Sequence, residues 1–242
     1  MPTTIVLVHG AWHGPWCFER VLPLLREAGV PTVAVELPSH GPNAGDLDDD
    51  VACVRRVLDD LGGDVLLLGH SYGGAVITET GTHPAVRRLV YLCAFALDDG
   101  ESCAAAATTD PDTAAIDHTG RPDMAAGLVF HDDGTMELTP AAAHQTLYHD
   151  ADDGTVAWAL DRLQPQSIAS LSASPKEQAW RTTPSTYVVC SDDQGVHPEL
   201  QRIMARRCTD MMELPTGHSP FATEPEQVAA LLGTIVAAMD AG

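Results

Sequence analysis

A serine held between two glycines, Gly69-His70-Ser71-Tyr72-Gly73, is the group in this 242-residue chain best suited to chemistry. The apolar residues 65–68 run into it, and the helix-compatible residues 75–80 leave it. A strand turning sharply into a helix puts the serine on a strained turn, where residues two positions away must lack side chains for the backbones to pass. A serine so placed attacks carbonyl carbon if a base takes its proton and a third group orients the base. His218 is placed to be that base: residues 211–214 read as the last strand and Pro215-Thr216-Gly217-His218 as the loop beyond it. The rival, His197, precedes Pro198 at a helix start, where N-terminal geometry accounts for it. Ser219 repeats the Gly-His-Ser triplet, but Pro220 follows and position 221 is not glycine, so it forms no elbow. The acid belongs at the end of the penultimate strand, residues 186–190, where Asp192 and Asp193 compete and spacing does not choose. The oxyanion calls for two backbone N–H groups, that of Tyr72 and that of Ala11 in the turn after the first strand.

The elements that must position these groups alternate in kind. Residues 3–8, 32–36, 64–68, 88–94, 186–190 and 211–214 read as strands. Residues 16–28, 47–61, 72–80 and 198–207 carry apolar side chains at helical spacing, and a final helix begins near Glu224-Pro225-Glu226. That alternation predicts an α/β architecture, a mainly parallel sheet of about six strands with helices on both faces. It stops between Asp98 and Ser174. There, 128–131 and 135–138 flank Asp132-Asp133-Gly134 as a hairpin, Thr139-Pro140 opens a helix, and a second helix spans 155–163. We expect a core of residues 1–97 and 175–242 with an inserted cap, 98–174, over the carboxyl edge of the sheet, where ligands of open α/β sheets bind.

Composition narrows the partners. A net charge of −21, with Lys176 the sole lysine, argues against nucleic acid and anionic membranes. The acid clusters (48–50, 98–99, 132–133, 152–153) lack calcium-loop spacing and are expected on solvated loops and helix N-termini. His131, His144 and His149 fit no zinc spacing, so no metal and no cofactor is expected. The N terminus leads straight into a strand with no cleavable apolar segment, and residues 228–239 are too short to span a bilayer. Six cysteines without a C-x-x-C pair fit reduced thiols, so a cytoplasmic location is expected; a homodimer is left open.

The segments His9-Gly10-Ala11-Trp12-His13-Gly14-Pro15-Trp16-Cys17-Phe18, the serine elbow, Tyr187-Val188-Val189-Cys190-Ser191-Asp192-Asp193 and Pro215-Thr216-Gly217-His218-Ser219-Pro220-Phe221 resemble the methyl-esterase/hydroxynitrile-lyase group of α/β-hydrolases. The likeness covers nearly the whole chain, including Tyr148, Trp158 and Arg162-Leu163-Gln164-Pro165-Gln166. It implies the α/β-hydrolase fold and a Ser71–His218–Asp193 triad, since the family's acid stands five residues before the helix-opening proline, here Pro198. Cyanohydrin-cleaving members typically carry Thr at the position of Gly10 and Lys just after the catalytic histidine, here Ser219, so nothing obvious would stabilise a departing cyanide. Gln194-Gly195-Val196-His197 also departs from the Arg-Ala-Ile-Pro-like segment of bacterial relatives. The expectation is a cofactor-free serine hydrolase that cleaves a small, largely apolar methyl or aryl ester through an acyl-enzyme. Trp12, His13, Trp16, Phe130, Tyr148, Trp158 and Phe221 are its candidate substrate contacts. The alternatives are a carbon–carbon bond-cleaving or cyclising enzyme on the same triad, and a non-catalytic ligand-binding homologue.

Overall fold

The computed structural model describes residues 2–41, 43–108 and 111–241, so Met1 of the N-terminal reading lies outside them. Among the described residues, nine strands form two sheets: β1 (Thr4–Val8), β2 (Thr32–Val35), β3 (Val65–His70), β4 (Val86–Leu92), β5 (Leu128–Phe130), β6 (Thr135–Leu138), β7 (Gln166–Ser167), β8 (Ser185–Cys190) and β9 (Asp210–Leu214). The larger sheet has six strands in the order β2-β1-β3-β4-β8-β9, and every pairing in it is parallel. Its middle strands are covered on both faces, which is why they read as unbroken apolar runs rather than as alternation. Ile5, Val6, Leu7, Val8, Leu66, Leu67 and Leu68 are at most 1% exposed. Burying each such side chain contributes about 1.5–3 kcal/mol before entropy is counted.

Helices surround this sheet. Val21–Glu27 packs on Pro225–Asp240, and Leu47–Asp60 packs on Gly73–Thr80. The helix expected over 16–28 is two pieces, a 3₁₀ turn at Pro15–Phe18 and a helix at Val21–Glu27. Pro23 is the physical reason. In an unbroken helix it would remove an interior hydrogen bond and clash with the preceding turn, whereas a start at Val21 leaves it in the first turn. The acidic run 48–50 does open a helix: Asp46 caps Leu47–Asp60 and forms a reciprocal pair of bonds with Asp49. It is not all solvated, however. Asp50 is fully buried and accepts a hydrogen bond from the Tyr72 hydroxyl at 2.6 Å.

Between residues 98 and 174 the chain folds differently. The hairpin β5–β6 is joined by β7 into a three-stranded antiparallel sheet, accompanied by helices Pro140–Leu147 and Asp153–Leu160. Thr139 and Asp152 cap these two helices through their side-chain oxygens. Hydrogen bonds fasten the segment to loops at the carboxyl edge of the large sheet. Gln164 N donates to Trp12 O at 2.9 Å, Ser167 N to Ser39 O at 2.8 Å, and Gly217 N to Asp150 Oδ2 at 2.7 Å. Among the described residues, no helix is long and apolar enough to cross a membrane.

Candidate active site

Five loops at the carboxyl ends of β1, β3, β4, β8 and β9 converge on Ser71. The elbow has the strain that its glycine spacing implies: Ser71 adopts φ +51°, a left-handed conformation rare for any residue but glycine. A Cβ on Gly69 would lie 2.5 Å from Gly73 O, and one on Gly73 would lie 2.5 Å from Val8 O. Both glycines are therefore steric requirements of the turn. Holding such a conformation costs about 1–3 kcal/mol. It is over-determined by bonds from Ser71 N to Leu92 O at 3.3 Å and from Phe95 N and Gly74 N to Ser71 O at 3.0 Å.

Gly10 lies equally close. A Cβ there would stand 2.8 Å from both Ser71 Cβ and His70 Nδ1, so the threonine of cyanohydrin-cleaving relatives has no room without a shift of the elbow. Gly10→Ala should lower kcat/KM on a p-nitrophenyl ester about 10²-fold, the cost of a displacement near 1 Å at a reacting centre. Unchanged kinetics in a correctly folded variant would contradict that contact.

His218 and Asp193 meet in the interior. His218 Nδ1 lies 2.8 Å from Asp193 Oδ2, and the two side chains are 2% and 0% exposed. A carboxylate accepts but does not donate, so Nδ1 carries a proton and Nε2 is the ring position at which a neutral imidazole acts as a base. The Asp193 carboxylate accepts three further bonds, from Gly195 N at 2.6 Å and Val196 N at 2.9 Å to Oδ1, and from Gln201 Nε2 at 2.7 Å to Oδ2. Asp192 faces solvent. The His218 carbonyl is anchored in turn by His70 Nε2 at 2.9 Å and Cys93 Sγ at 3.3 Å.

Three more histidines lie beneath the site, all buried. His13 donates from Nδ1 to Ala11 O at 2.7 Å and accepts at Nε2 from the Tyr148 hydroxyl at 2.7 Å. His9 bonds Gly10 O through Nδ1 at 2.9 Å and accepts from Leu37 N at 3.3 Å. Burial pushes both down to about 3, and it pushes His70 well below its usual range, so these rings stay neutral and act as braces. Nitrogen and sulfur atoms of His70, Cys93 and His218 come within 4.8 Å of one another, as metal ligands would. Their protons are already committed to Asp193 and the His218 carbonyl, and burial raises the Cys93 thiol, opposing the thiolate a metal needs.

Ser71, His218, Ala11 and Tyr72 all line one cavity of about 330 Å³. Among the described residues, no acceptor engages the N–H of Ala11 or of Tyr72. Trp12, next to Ala11, is itself left-handed at φ +63°. Of the aromatic and histidine contacts read from sequence, Trp12 and Phe130 line this cavity, whereas His13, Trp16, Tyr148, Trp158 and Phe221 do not. Trp16 instead packs edge-on against Trp158 with ring centres 5.1 Å apart, and Phe221 against Phe18 at 5.5 Å. Apart from Ser172 the rest of the wall is largely apolar, with Phe95, Met124, Leu128, Met136, Leu147, Ile168, Leu171 and Val196 prominent. Sequence pattern gave no cue to these, since an apolar residue facing a cavity looks like one facing the core.

The model of the alpha/beta hydrolase family matches residues 5–231. A carbendazim-hydrolysing esterase of Nocardioides is 41% identical over 106 residues, 40% of this chain and 44% of that one. Methylesterase 9 of Arabidopsis thaliana is 26% identical over 92% of this chain and 94% of its own. The crystal structure of a pyrethroid hydrolase superposes with a TM-score of 0.81 at 23% identity, covering 98% of this chain and 99% of that one. The parallel sheet, the strained elbow and these likenesses agree: the chain belongs to the alpha/beta hydrolase family, is methylesterase-like within it, and is a carboxylic ester hydrolase.

Proposed function

We propose that the protein is a serine esterase working through an acyl-enzyme, with Ser71 as nucleophile, His218 as base, Asp193 as its orienting acid and the N–H groups of Ala11 and Tyr72 as the oxyanion hole. The observation that carries this is the buried 2.8 Å bond between His218 Nδ1 and Asp193, set beside a left-handed Ser71 in the wall of the same cavity. His218 Nε2 takes the Ser71 proton as Oγ attacks the ester carbonyl, and Asp193 stabilises the imidazolium. The tetrahedral oxyanion collapses to the acyl-serine as the imidazolium protonates the departing alcohol. Water, deprotonated by His218, then releases the acid and restores Ser71. No step needs a cofactor.

The cavity supports a small, largely apolar ester. Its volume is at the low end for small-molecule sites. No Asp, Glu, Lys or Arg is among the described residues that line it. Residues 98–174 supply much of the wall and act as the cap on a core of 1–97 and 175–242. The six unpaired cysteines support a cytoplasmic setting. A pair of matched substrates tests the specificity. Methyl pentanoate should be hydrolysed about 10²-fold faster than monomethyl succinate, because an unpaired carboxylate loses roughly 3 kcal/mol or more on entering an apolar wall. Equal rates would contradict the reading.

A further inference from the structure

One buried chain of hydrogen bonds runs behind the wall that holds the Tyr72 and Ala11 N–H groups. The Tyr72 hydroxyl donates to Asp50 Oδ2 at 2.6 Å, and Asp50 Oδ1 accepts from Ser39 N at 2.9 Å. Ser39 Oγ accepts from Gln166 Nε2 at 2.9 Å, and that nitrogen also donates to Ser170 Oγ at 2.8 Å. Gln166 Oε1 accepts from the amide of Trp12 at 3.2 Å. The chain thus begins on the residue that carries one N–H and ends on the residue following the other. Asp50, Ser39 and Gln166 are each 0% exposed, and none lines the 330 Å³ cavity. None is placed to touch substrate.

The chemistry of each member is specific. Gln166 uses its oxygen and both N–H bonds, so its amide has one satisfying orientation; a glutamate would keep the acceptor for Trp12 and lose both donors. Asp50 and Ser39 come from the large-sheet portion of the chain, Gln166 and Ser170 from between residues 98 and 174, so the brace closes only where the two meet. Trp12 is left-handed and is held there by Gln166, by Gln164 N on its carbonyl, and by its own indole N–H on Met136 O at 3.2 Å. A left-handed residue released from such bonds relaxes, and the neighbouring peptide turns with it.

We infer that Asp50 and Gln166 are positioning residues for the transition state, fixing the two oxyanion donors through Tyr72 and Trp12. This rests on the assignment of Ala11 N and Tyr72 N as the oxyanion hole. Preorganised donors act on charge that develops in the transition state and hardly at all on the bound ester, so losing the brace should fall on kcat.

The test uses Tyr72→Phe, Asp50→Asn, Gln166→Glu and the Tyr72→Phe/Asp50→Asn double variant, with p-nitrophenyl butyrate as substrate. Two inhibitors accompany it: an alkyl trifluoromethyl ketone, whose serine adduct places an oxyanion in the hole, and butyrate, which does not. Each single variant should lower kcat about 10–100-fold and weaken the ketone by the same factor, with KM and the butyrate Ki within twofold. The double variant should be no worse than the poorer single one, because both substitutions act on the one contact between Tyr72 and residue 50. Tyr72→Phe deletes one oxygen and keeps the backbone N–H, so it carries the test if a buried-acid variant fails to fold. The proposal is overturned if Tyr72→Phe keeps kcat within twofold, or if ketone and butyrate affinities fall together. A wild-type enzyme insensitive to the ketone would instead overturn the oxyanion-hole assignment.

Discussion

Ser71→Ala is expected to reduce ester hydrolysis by at least about 10⁴-fold, leaving only what binding and the oxyanion donors supply over water. The expectation follows from the elbow. The left-handed turn aims a single hydroxyl at the cavity that also receives His218, and alanine removes that oxygen without altering the backbone the turn needs. KM should change little, since the hydroxyl contributes to bond formation rather than to binding. Steady-state kinetics on p-nitrophenyl butyrate, with a thermal melt to confirm the fold, measure it. Residual activity above a hundredth of wild type would remove Ser71 from the mechanism.

The second large effect separates neighbouring carboxylates. Asp193→Asn should lower kcat about 10⁴-fold, the magnitude expected when the orienting acid becomes an amide and the imidazole takes the wrong tautomer. Asp192→Asn should remain within about threefold of wild type, because Asp192 faces solvent while Asp193 is buried against His218. Comparing the two variants by kcat on one ester decides the acid. The greater loss in Asp192→Asn would reverse the assignment.

Much of this architecture was legible because steric and burial rules act locally. Unbroken apolar runs mark β1, β3 and β8 as strands covered on both faces, and the glycines at 69 and 73 mark a turn where a Cβ would strike backbone. Other features lay beyond local pattern. Successive side chains on a loop point in unrelated directions, so nothing in Asp192-Asp193 says which turns inward; family likeness pointed to Asp193, and Asp193 is the one that turns inward to His218. Aromatic residues carry no sign of whether they face a core or a cavity, and Trp16, Trp158 and Phe221 pack against their neighbours instead.

Asp50 did leave a signal. Leu47, Val51, Val54 and Leu58 form the buried stripe of their helix, and position 50, three beyond Leu47, falls on that stripe. An acid there is a buried polar group in need of a partner. Desolvation raises its carboxyl to about 6, and its bonds to Ser39 and Tyr72 pull the other way. Gln166 left no such mark: it lies in a two-residue strand, and the side chain's bonds to Trp12 and Ser39 span 154 and 127 positions.

If catalysis passes through a covalent bond to Ser71 Oγ, an active-site-directed phosphonofluoridate should capture that oxygen. Intact-protein and peptide mass spectrometry after stoichiometric labelling should show one adduct, on Ser71, with its extent matching the loss of esterase activity and with no adduct in Ser71→Ala. Modification at any other residue in step with inactivation, or full activity in a Ser71-labelled enzyme, would contradict the account.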